Sequence, residues 1–339
     1  MVFQFYVLML GLFLLVTKTF TSLILPKVCS QSTDALDTVF ESTGLIEPGE
    51  CIFELTLKPK TCGVRIGFDK FLFNQPVKKD STSAYVCAAD LDLLELSGLG
   101  LPNIDLSVLC GDLSGHHIYL PTKDYDELLP LIDVKKLILK VIHVLVPDAP
   151  TPLWKIRLTQ LPCPGEIEQD KKSIFSLPPM GCLQFHEKPE GIIESLNFAN
   201  GKGHYMAEMN YAICIKRQPD TCGIKFQALD FQLASNANSS DYTERDCDSL
   251  GLGVDVLGVS KLLNKDYVII PDGVRINNGL KTYASKFCGS SLMKQEVIVV
   301  TKCPLYIGVV TDKLNDVNQK EVGFKIKYQL LNDCTLLDL

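Results

Sequence analysis

The chain has 339 residues and a formal net charge of −7 at neutral pH. That length allows about two domains, and a composition of 46% apolar and 22% charged residues is typical of a globular protein, which excludes bulk disorder. An acidic chain lacks the clustered positive charge on which general nucleic-acid binding depends, so we expect no nucleic-acid partner.

The first predicted element is a signal peptide at residues 1–22. Residues Val2 to Val16 form an apolar run that only Gln4 interrupts, and small residues follow Lys18. About 15 apolar residues are typical of a secretory signal and too few for a membrane span, which needs about 20. We therefore expect a secreted, extracellular protein with no transmembrane anchor; an uncleaved anchor is the alternative.

Cysteines follow this segment throughout the chain. They are Cys29, Cys51, Cys62, Cys87, Cys110, Cys163, Cys182, Cys214, Cys222, Cys247, Cys288, Cys303 and Cys334. None forms a Cys-x-x-Cys pair, which argues against zinc ribbons and thioredoxin-like sites, and dispersed cysteines in a secreted chain predict disulfides. Because the total of 13 is odd, at least one is unpaired or bonds to another chain, so a disulfide-linked dimer stays open.

Two stretches, 51–68 and 214–226, share one pattern. Both run Cys-Ile, a polar turn with proline, Thr-Cys-Gly, and then apolar residues that alternate with Arg or Lys. Alternation of period two predicts a half-buried strand. The apolar residues change parity between Phe68 and Phe71 and between Ala228 and Leu229, which predicts a bulge in each strand.

The repeat divides the chain into domains at 29–163 and 182–334, joined by a charged, proline-containing linker at 164–181. Short apolar segments between turn residues indicate an all-β fold of two antiparallel β-sandwiches. In the second half the predicted strands are Ile192–Phe198, Tyr211–Lys216, Asp266–Ile270, Val297–Thr301 and Leu305–Thr311. The glycine-containing segment Ser249–Leu263 is interpreted as a loop insertion.

Two features of the first half are interpreted as structural. Lys135, Lys136 and Lys140 alternate with apolar residues, which favours the solvated face of a strand or short helix. Trp154 is predicted to anchor the core of the first sandwich and not to bind a ligand.

Several segments follow one another in the order of a known family. In the second half they include Gly181-Cys182-Leu-Gln-Phe, Asp266-Tyr-Val-Ile-Ile-Pro-Asp-Gly273 and Lys286-Phe-Cys288-Gly289. This half resembles a CUB domain, in the variant found in many arthropod extracellular proteins. The first half is similar to the divergent CUB-like companion of that variant, through Cys51-Ile-Phe-Glu and Trp154-Lys-Ile-Arg. The resemblance implies jelly-roll-like sandwiches that bind proteins or glycans and are not catalytic.

Many CUB domains bind calcium through a Glu after the bulged strand, an Asp before a Tyr and a later Asp. Asp266 and Asp312 match the two aspartates, but Ala234 stands at the position of the Glu. Calcium takes six to eight oxygen ligands, so the lost carboxylate removes both a ligand and a charge. We therefore expect no calcium and no other cofactor, with the two aspartates capping turns.

The family analogy and the repeat also imply disulfide pairs. We expect Cys29–Cys51, Cys182–Cys214, Cys62–Cys87, Cys222–Cys247 and Cys110–Cys163. For the remaining three cysteines two pairings stay open: Cys288 with Cys334, which leaves Cys303, or Cys288 with Cys303, which leaves Cys334. We favour the second, because related arthropod domains carry a cysteine at the position of Cys303.

Catalytic motifs are weak. The loop around Ser114 reads Gly-x-x-Ser-Gly and not the Gly-x-Ser-x-Gly of a nucleophile elbow. On a strand His116 and His117 would face opposite sides, and the other histidines (143, 186 and 204) are isolated in the sequence. We predict no catalytic residue and no enzyme. Asn238 is the one acceptor in an Asn-x-Ser/Thr sequon.

The leading hypothesis is a secreted, noncatalytic interaction protein that recognises an extracellular protein or glycan through loops on rigid sandwiches. The alternatives are a structural matrix or cuticle component cross-linked through the odd cysteine, and an accessory chain of a secreted protease system.

Overall fold

The computed structural model describes residues 29–42, 48–80, 84–99, 101, 106–122, 134–145, 151–164, 176–234, 247, 253–254, 260–261, 266–277, 280–313 and 320–335. The predicted signal peptide, Asn238 and most of the predicted linker and loop insertion lie outside these ranges. No helix within them has the length and hydropathy of a membrane span.

The first half is built from short strands. They are β1 Gln31–Thr33, β2 Asp37–Glu41, β3 Gly49–Thr56, β4 Thr61–Leu72, β5 Val77–Lys78, β6 Tyr85–Val86, β7 Leu93–Leu99, β8 Val108–Leu109, β9 His117–Pro121, β10 Lys136–His143 and β11 Leu153–Pro162. A five-stranded sheet, β1-β3-β10-β7-β8, packs on a four-stranded sheet, β2-β11-β4-β9. Trp154 is buried between them against Phe40 and Phe73, as predicted.

Strand β10 explains the spaced lysines. Its residues alternate between half-buried and buried along the whole strand, so the predicted solvated face is confirmed and its element is a strand. Lys136 lies 2.9 Å from Glu54 of β3, and Lys140 lies 2.7 Å from Glu95 of β7. Cross-strand charge pairs of this kind support the sheet on its exposed side.

The second half repeats the architecture. Its strands are β12 Cys182–His186, β13 Glu190–Glu194, β14 Asn210–Ile215, β15 Gly223–Gln232, β16 Gly253–Val254, β17 Ser260–Lys261, β18 Tyr267–Ile269, β19 Val274–Asn277, β20 Leu280–Tyr283, β21 Lys286–Phe287, β22 Glu296–Val300, β23 Leu305–Val310 and β24 Gly323–Leu331, with a 3₁₀ turn at Ala199–Gly201. The sheets are β12-β14-β23-β18-β21 and β13-β24-β15-β22-β19-β20. The all-β sandwich class is confirmed, and four of the predicted strands match β14, β18, β22 and β23 to within one residue at each end. The predicted strand Ile192–Phe198 overlaps β13 only at residues 192–194, because the chain turns at 195–198.

Both predicted bulges are present. Opposite β11, Lys155 pairs with Lys70 and Ile156 with Phe68, which leaves Asp69 as the extra residue. Opposite β24, Ala228 pairs with Ile326 and Asp230 with Lys325, which leaves Leu229. An inserted residue reverses the side-chain alternation, so apolar residues face the core on both sides of it.

The disulfides of the two sandwiches match one another. Cys29–Cys51 and Cys182–Cys214 are formed as expected. The other bridges are Cys62–Cys163 with Cys222–Cys334, and Cys87–Cys110 with Cys247–Cys288. The expected Cys62–Cys87, Cys222–Cys247 and Cys110–Cys163 pairs are therefore wrong.

Strand pairing gives the physical reason. Strands β4 and β11 are antiparallel neighbours, and Pro162 lies opposite Thr61, which brings Cys163 beside Cys62. In the same way Leu331 lies opposite Gly223, so Cys334 reaches Cys222. Cys303 is unpaired and exposed. The expectation that Cys303 pairs with Cys288 and leaves Cys334 free is therefore also wrong.

Candidate functional site

The two sandwiches meet along a contact surface that we call the seam, and Asn197 contributes its densest set of hydrogen bonds. The seam includes Gln75, Tyr85, Asp112, His116 and His117 of the first sandwich and Gln184, His186, Asn197 and His204 of the second. Asn197 follows β13 in the second sandwich, and its side chain is fully buried. Its Oδ1 accepts a hydrogen bond of 2.7 Å from the backbone N–H of Asp112, and its Nδ2 donates to Gln75 Oε1 at 3.0 Å. Nδ2 also donates to the carbonyl of His204 at 2.7 Å. One amide group therefore satisfies polar groups of both sandwiches.

Histidines occupy one end of the seam. His117 Nε2 lies 2.9 Å from the carbonyl oxygen of Phe185, and the rings of His117 and His186 are 5.1 Å apart. His116 Nδ1 lies 3.4 Å from Gln184 Nε2. The three rings line a cavity of about 260 Å³ between the sandwiches.

Burial sets the protonation of these rings. It lowers the pKa of His117 to about 3, and the charge of Arg65 acts in the same direction. It also lowers the pKa of His186 to about 4. The rings are therefore neutral near pH 7, and Nε2 of His186 is buried without a hydrogen-bond partner among the described residues.

The opposite end of the seam contains Tyr85, His204 and Glu321. The rings of Tyr85 and His204 stack with centroids 3.9 Å apart, and Lys78 Nζ lies 4.5 Å above the Tyr85 ring. The carboxylate oxygens of Glu321 are buried, and within the described residues they have no hydrogen-bond partner. Burial raises the pKa of Glu321 to about 7, although Lys78 opposes that rise.

The region that corresponds to the calcium site of the family is closed by a tyrosine. Asp266 Oδ2 accepts a 2.6 Å hydrogen bond from the Tyr205 hydroxyl, and Asp266 Oδ1 accepts one of 2.8 Å from the backbone N–H of Asp312. The Tyr205 oxygen in turn accepts from the backbone N–H of Ala234 at 2.9 Å. The structure thus brings Asp266, Asp312 and Ala234 together, with protein donors on both oxygens of Asp266. Burial raises the pKa of Asp266 to about 8.

These residues form a polar network that satisfies itself. Within the described ranges, no three His, Cys, Asp or Glu side chains are placed to hold a metal ion. The expectation that this chain binds no calcium stays a prediction, and the geometry gives it a physical basis. Both carboxylate oxygens of Asp266 are already hydrogen bonded to protein donors, and Ala234 offers no carboxylate.

A second cavity, of about 230 Å³, opens at one end of the second sandwich. Its lining is mainly apolar and comprises Ile224, Phe226, Pro271, Asp272, Val299, Thr301, Cys303, Pro304, Leu305 and Tyr306. Tyr306 is 40% exposed at its edge. The cavity has the size and polarity for an apolar side chain of a partner.

The loop with Ser114 is structural. Ser114 Oγ accepts from the backbone N–H of Phe71 at 3.1 Å, and the backbone N–H of Ser114 donates to Asp112 Oδ1 at 3.0 Å. The inference that His116 and His117 face opposite sides is wrong, because His116 precedes β9 in a turn and strand alternation does not apply to it. Both rings line the same cavity, and His186 and His204 also lie in the seam.

Comparisons with known proteins give a family match for the second sandwich. The family model of the animal CUB domain matches residues 179–331. A comparison with curated proteins finds no match. The arthropod label is not tested by either result.

Solved structures to which this chain is similar include the CUB1-EGF-CUB2 domains of rat MASP-1, at 9% identity and a TM-score of 0.26, covering 88% of this chain and 99% of that one. Those of human MASP-1/3 match at 11% identity and a TM-score of 0.24, covering 87% and 100%. The full extracellular region of zebrafish Gpr126/Adgrg6 matches at 8% identity and a TM-score of 0.27. The match covers 92% of this chain and 38% of that one. At these scores the likeness carries no functional argument. The family model and the disulfide-bonded sandwich together identify residues 179–331 of this chain as an animal CUB domain.

Proposed function

We propose that this chain is a secreted, noncatalytic interaction protein whose CUB domain binds an extracellular protein. CUB domains often mediate protein interactions in extracellular proteins, and the match at 179–331 is the observation that carries the proposal. The seam joins the two sandwiches, and three disulfides within each sandwich brace it, so that loops can present a binding surface of fixed shape.

The apolar cavity beside Tyr306 is the surface we assign to this partner. Buried aromatic and aliphatic anchors in pockets contribute most of the affinity at protein interfaces. Its lining is mainly apolar, so it suits an apolar side chain better than the hydroxyl groups of a sugar. A glycan is the alternative ligand, and the experiment below distinguishes a protein partner from a glycan.

The test is affinity capture from extracellular fluid on the immobilised full chain, with a glycan array in parallel. We expect a protein to bind, and Tyr306→Ala to weaken its binding at least tenfold, or about 1.4 kcal/mol. Tyr283→Ala, at a 68% exposed tyrosine on β20, is the matched control and should bind normally. Binding only to glycans, or equal binding by both variants, would contradict this assignment.

One observation favours a second function, that of a cross-linked structural component. Cys303 is exposed and unpaired at the edge of the same cavity. An intermolecular disulfide there would join two chains covalently. Electrophoresis without reductant separates the two functions: a covalent dimer that Cys303→Ser abolishes supports the structural one, and a monomer supports the interaction protein.

A further inference from the structure

The distribution of histidines is uneven. The chain has five histidines, and four of them (116, 117, 186 and 204) lie in the seam. The fifth, His143, lies within the first sandwich, with Nδ1 2.8 Å from Asp92 Oδ1. Histidine is the side chain whose charge changes most readily between pH 5 and pH 8. The contact between the sandwiches is thus built from groups that can acquire charge.

At the cavity end of the seam, positive groups lie close to two histidine rings from different sandwiches. His117 of β9 and His186 of β12 belong to different sandwiches, and their rings are 5.1 Å apart. Arg65 of β4 adds a positive charge that acts on both. Two protonated rings would therefore repel each other, and Arg65 would repel both.

The other ionisable groups around the cavity do not cancel this repulsion. Glu194 of β13 forms an ion pair of 2.8 Å with Lys325 of β24, which leaves that pair neutral overall. The remaining groups are His116 and Asp112 before β9, Tyr119 of β9, Glu187 after β12 and Tyr328 of β24; a protonated His116 would add to the repulsion. Of these, Glu187 pairs with Lys216 at 3.2 Å. The Asp112 carboxylate accepts a hydrogen bond from the Ser114 backbone N–H but keeps its negative charge, which partly offsets the repulsion.

We propose that the seam is a pH-sensitive junction, and that protonation of His117 and His186 opens the contact between β9 and β12 in acidic surroundings. Opening would separate β9 from β12 and expose the faces of both sandwiches that this contact covers.

The direction in which pH changes the stability of the closed contact follows from the linkage between proton binding and folding. The folded pKa values of both rings lie below the ordinary histidine value of about 6.5, so the closed state binds fewer protons than the open one. The stability that the neutral rings contribute is complete above pH 6.5 and is lost as the pH falls towards their folded pKa values. We expect opening between about 6.5 and the value of about 4 at His186.

Glu321 at the other end of the seam acts in the opposite direction. Its raised pKa means that acid favours the folded form there, as it does at Asp266. A measurement of global stability as a function of pH would therefore combine the loss at the histidines with the gain at Glu321 and Asp266. A readout confined to the cavity end separates them.

The experiment measures amide hydrogen exchange of β9 and β12 in the full chain at about pH 7.5 and pH 4.5, corrected for intrinsic exchange. We expect protection in both strands to fall at least tenfold at the lower pH. The double variant His117→Gln/His186→Phe should retain protection, because glutamine keeps a donor for the Phe185 carbonyl and phenylalanine fills the volume of the ring without charge. His204→Gln, at the far end, is the matched control and should open as the native chain does.

Two results would overturn the proposal: unchanged protection in the native chain at pH 4.5, or loss of protection in the double variant over the same range. Should the double variant fail to fold at pH 7.5, the single His186→Phe variant decides. It must open at a lower pH than the native chain, and an unchanged midpoint rejects the junction.

Discussion

Asn197 Oδ1 accepts a hydrogen bond from the backbone N–H of Asp112, and it also lies 2.2 Å from where a Cβ on Gly111 would be. A residue of the second sandwich thus completes a turn of the first. Gly111 has a φ of +81°, a conformation that favours glycine, and here the approach of Asn197 excludes any side chain as well. The contact between the sandwiches therefore requires both the Asn197 side chain on one side and a glycine at position 111 on the other.

Gly111→Ala should destabilise the protein more than Gly115→Ala. The two glycines have nearly the same φ, +81° and +84°, but a Cβ on Gly115 would meet no atom within 4 Å. The left-handed conformation costs either alanine roughly 1–2 kcal/mol. The clash with Asn197 should cost Gly111→Ala roughly 1–3 kcal/mol more. Denaturant unfolding of both variants measures the difference in their free energies of unfolding. Equal losses would mean that Asn197 moves away from the added methyl group at no cost.

Asn197→Ala should cost roughly 2–4 kcal/mol, because it removes three hydrogen bonds and leaves the N–H of Asp112 without its acceptor. Asn210→Ala, at an exposed position in β14, is the control and should change stability by less than about 0.5 kcal/mol. Thermal unfolding monitored in each sandwich checks this. Similar small losses in the two variants would contradict a central role for Asn197.

Calcium should leave the melting temperature unchanged. Both oxygens of Asp266 are already hydrogen bonded, and Ala234 provides no carboxylate. A ligand at a hundredfold excess over its dissociation constant would stabilise the fold by about 2.7 kcal/mol, which corresponds to several degrees. Melting in millimolar calcium and in chelator provides the comparison. A rise of several degrees with calcium would contradict this prediction.

Glu321→Gln should stabilise the protein increasingly as the pH rises. The folded pKa of Glu321, about 7, lies above its ordinary value of 4.5, so its contribution to stability is complete below pH 4.5 and is lost as the pH rises through 7. Glutamine does not ionise. The stability of the variant minus that of the native chain should therefore grow over this interval by at most about 3 kcal/mol and stay constant above it. A difference independent of pH would place the titration elsewhere.

Alkylation of the native protein should label Cys303 and leave Cys334 protected, because Cys303 is exposed and Cys334 is bonded to Cys222. Peptide mapping by mass spectrometry locates the label. Cys303→Ser should abolish labelling without a change in stability. Label on Cys334 would restore the pairing that the family analogy favoured.

The sequence predicts strands and bulges well because both depend on the local alternation of side chains. The parity change from Phe68 to Phe71 locates the bulge at Asp69 without any knowledge of the partner strand. The repeat likewise predicts that the bridges come in matched sets. It cannot give their connectivity, because Cys62 and Cys163 are 101 residues apart and meet only when β4 and β11 pair.

The contacts that form the seam could not be predicted from the sequence, for a related reason. His117 and His186 come from different sandwiches, and no periodicity relates positions so far apart in the chain. Asn197 and Gly111 both adopt a positive φ in the structure, but no spacing in the sequence indicates that they contact each other. Buried charge at Glu321 is equally invisible, because an isolated glutamate in a loop is usually solvated.

The order of the bridges has a mechanical consequence. Between Cys29 and Cys334, tension applied to the chain ends passes through Cys29–Cys51, Cys62–Cys163, Cys182–Cys214 and Cys222–Cys334. Only the segments 51–62, 163–182 and 214–222 then carry load along the backbone. Each can lengthen by no more than about 3.6 Å per residue. The strands between Cys62 and Cys163 and between Cys222 and Cys334 are shielded from the pull, whereas most of β3, with its buried Phe53 and Leu55, lies on the loaded path.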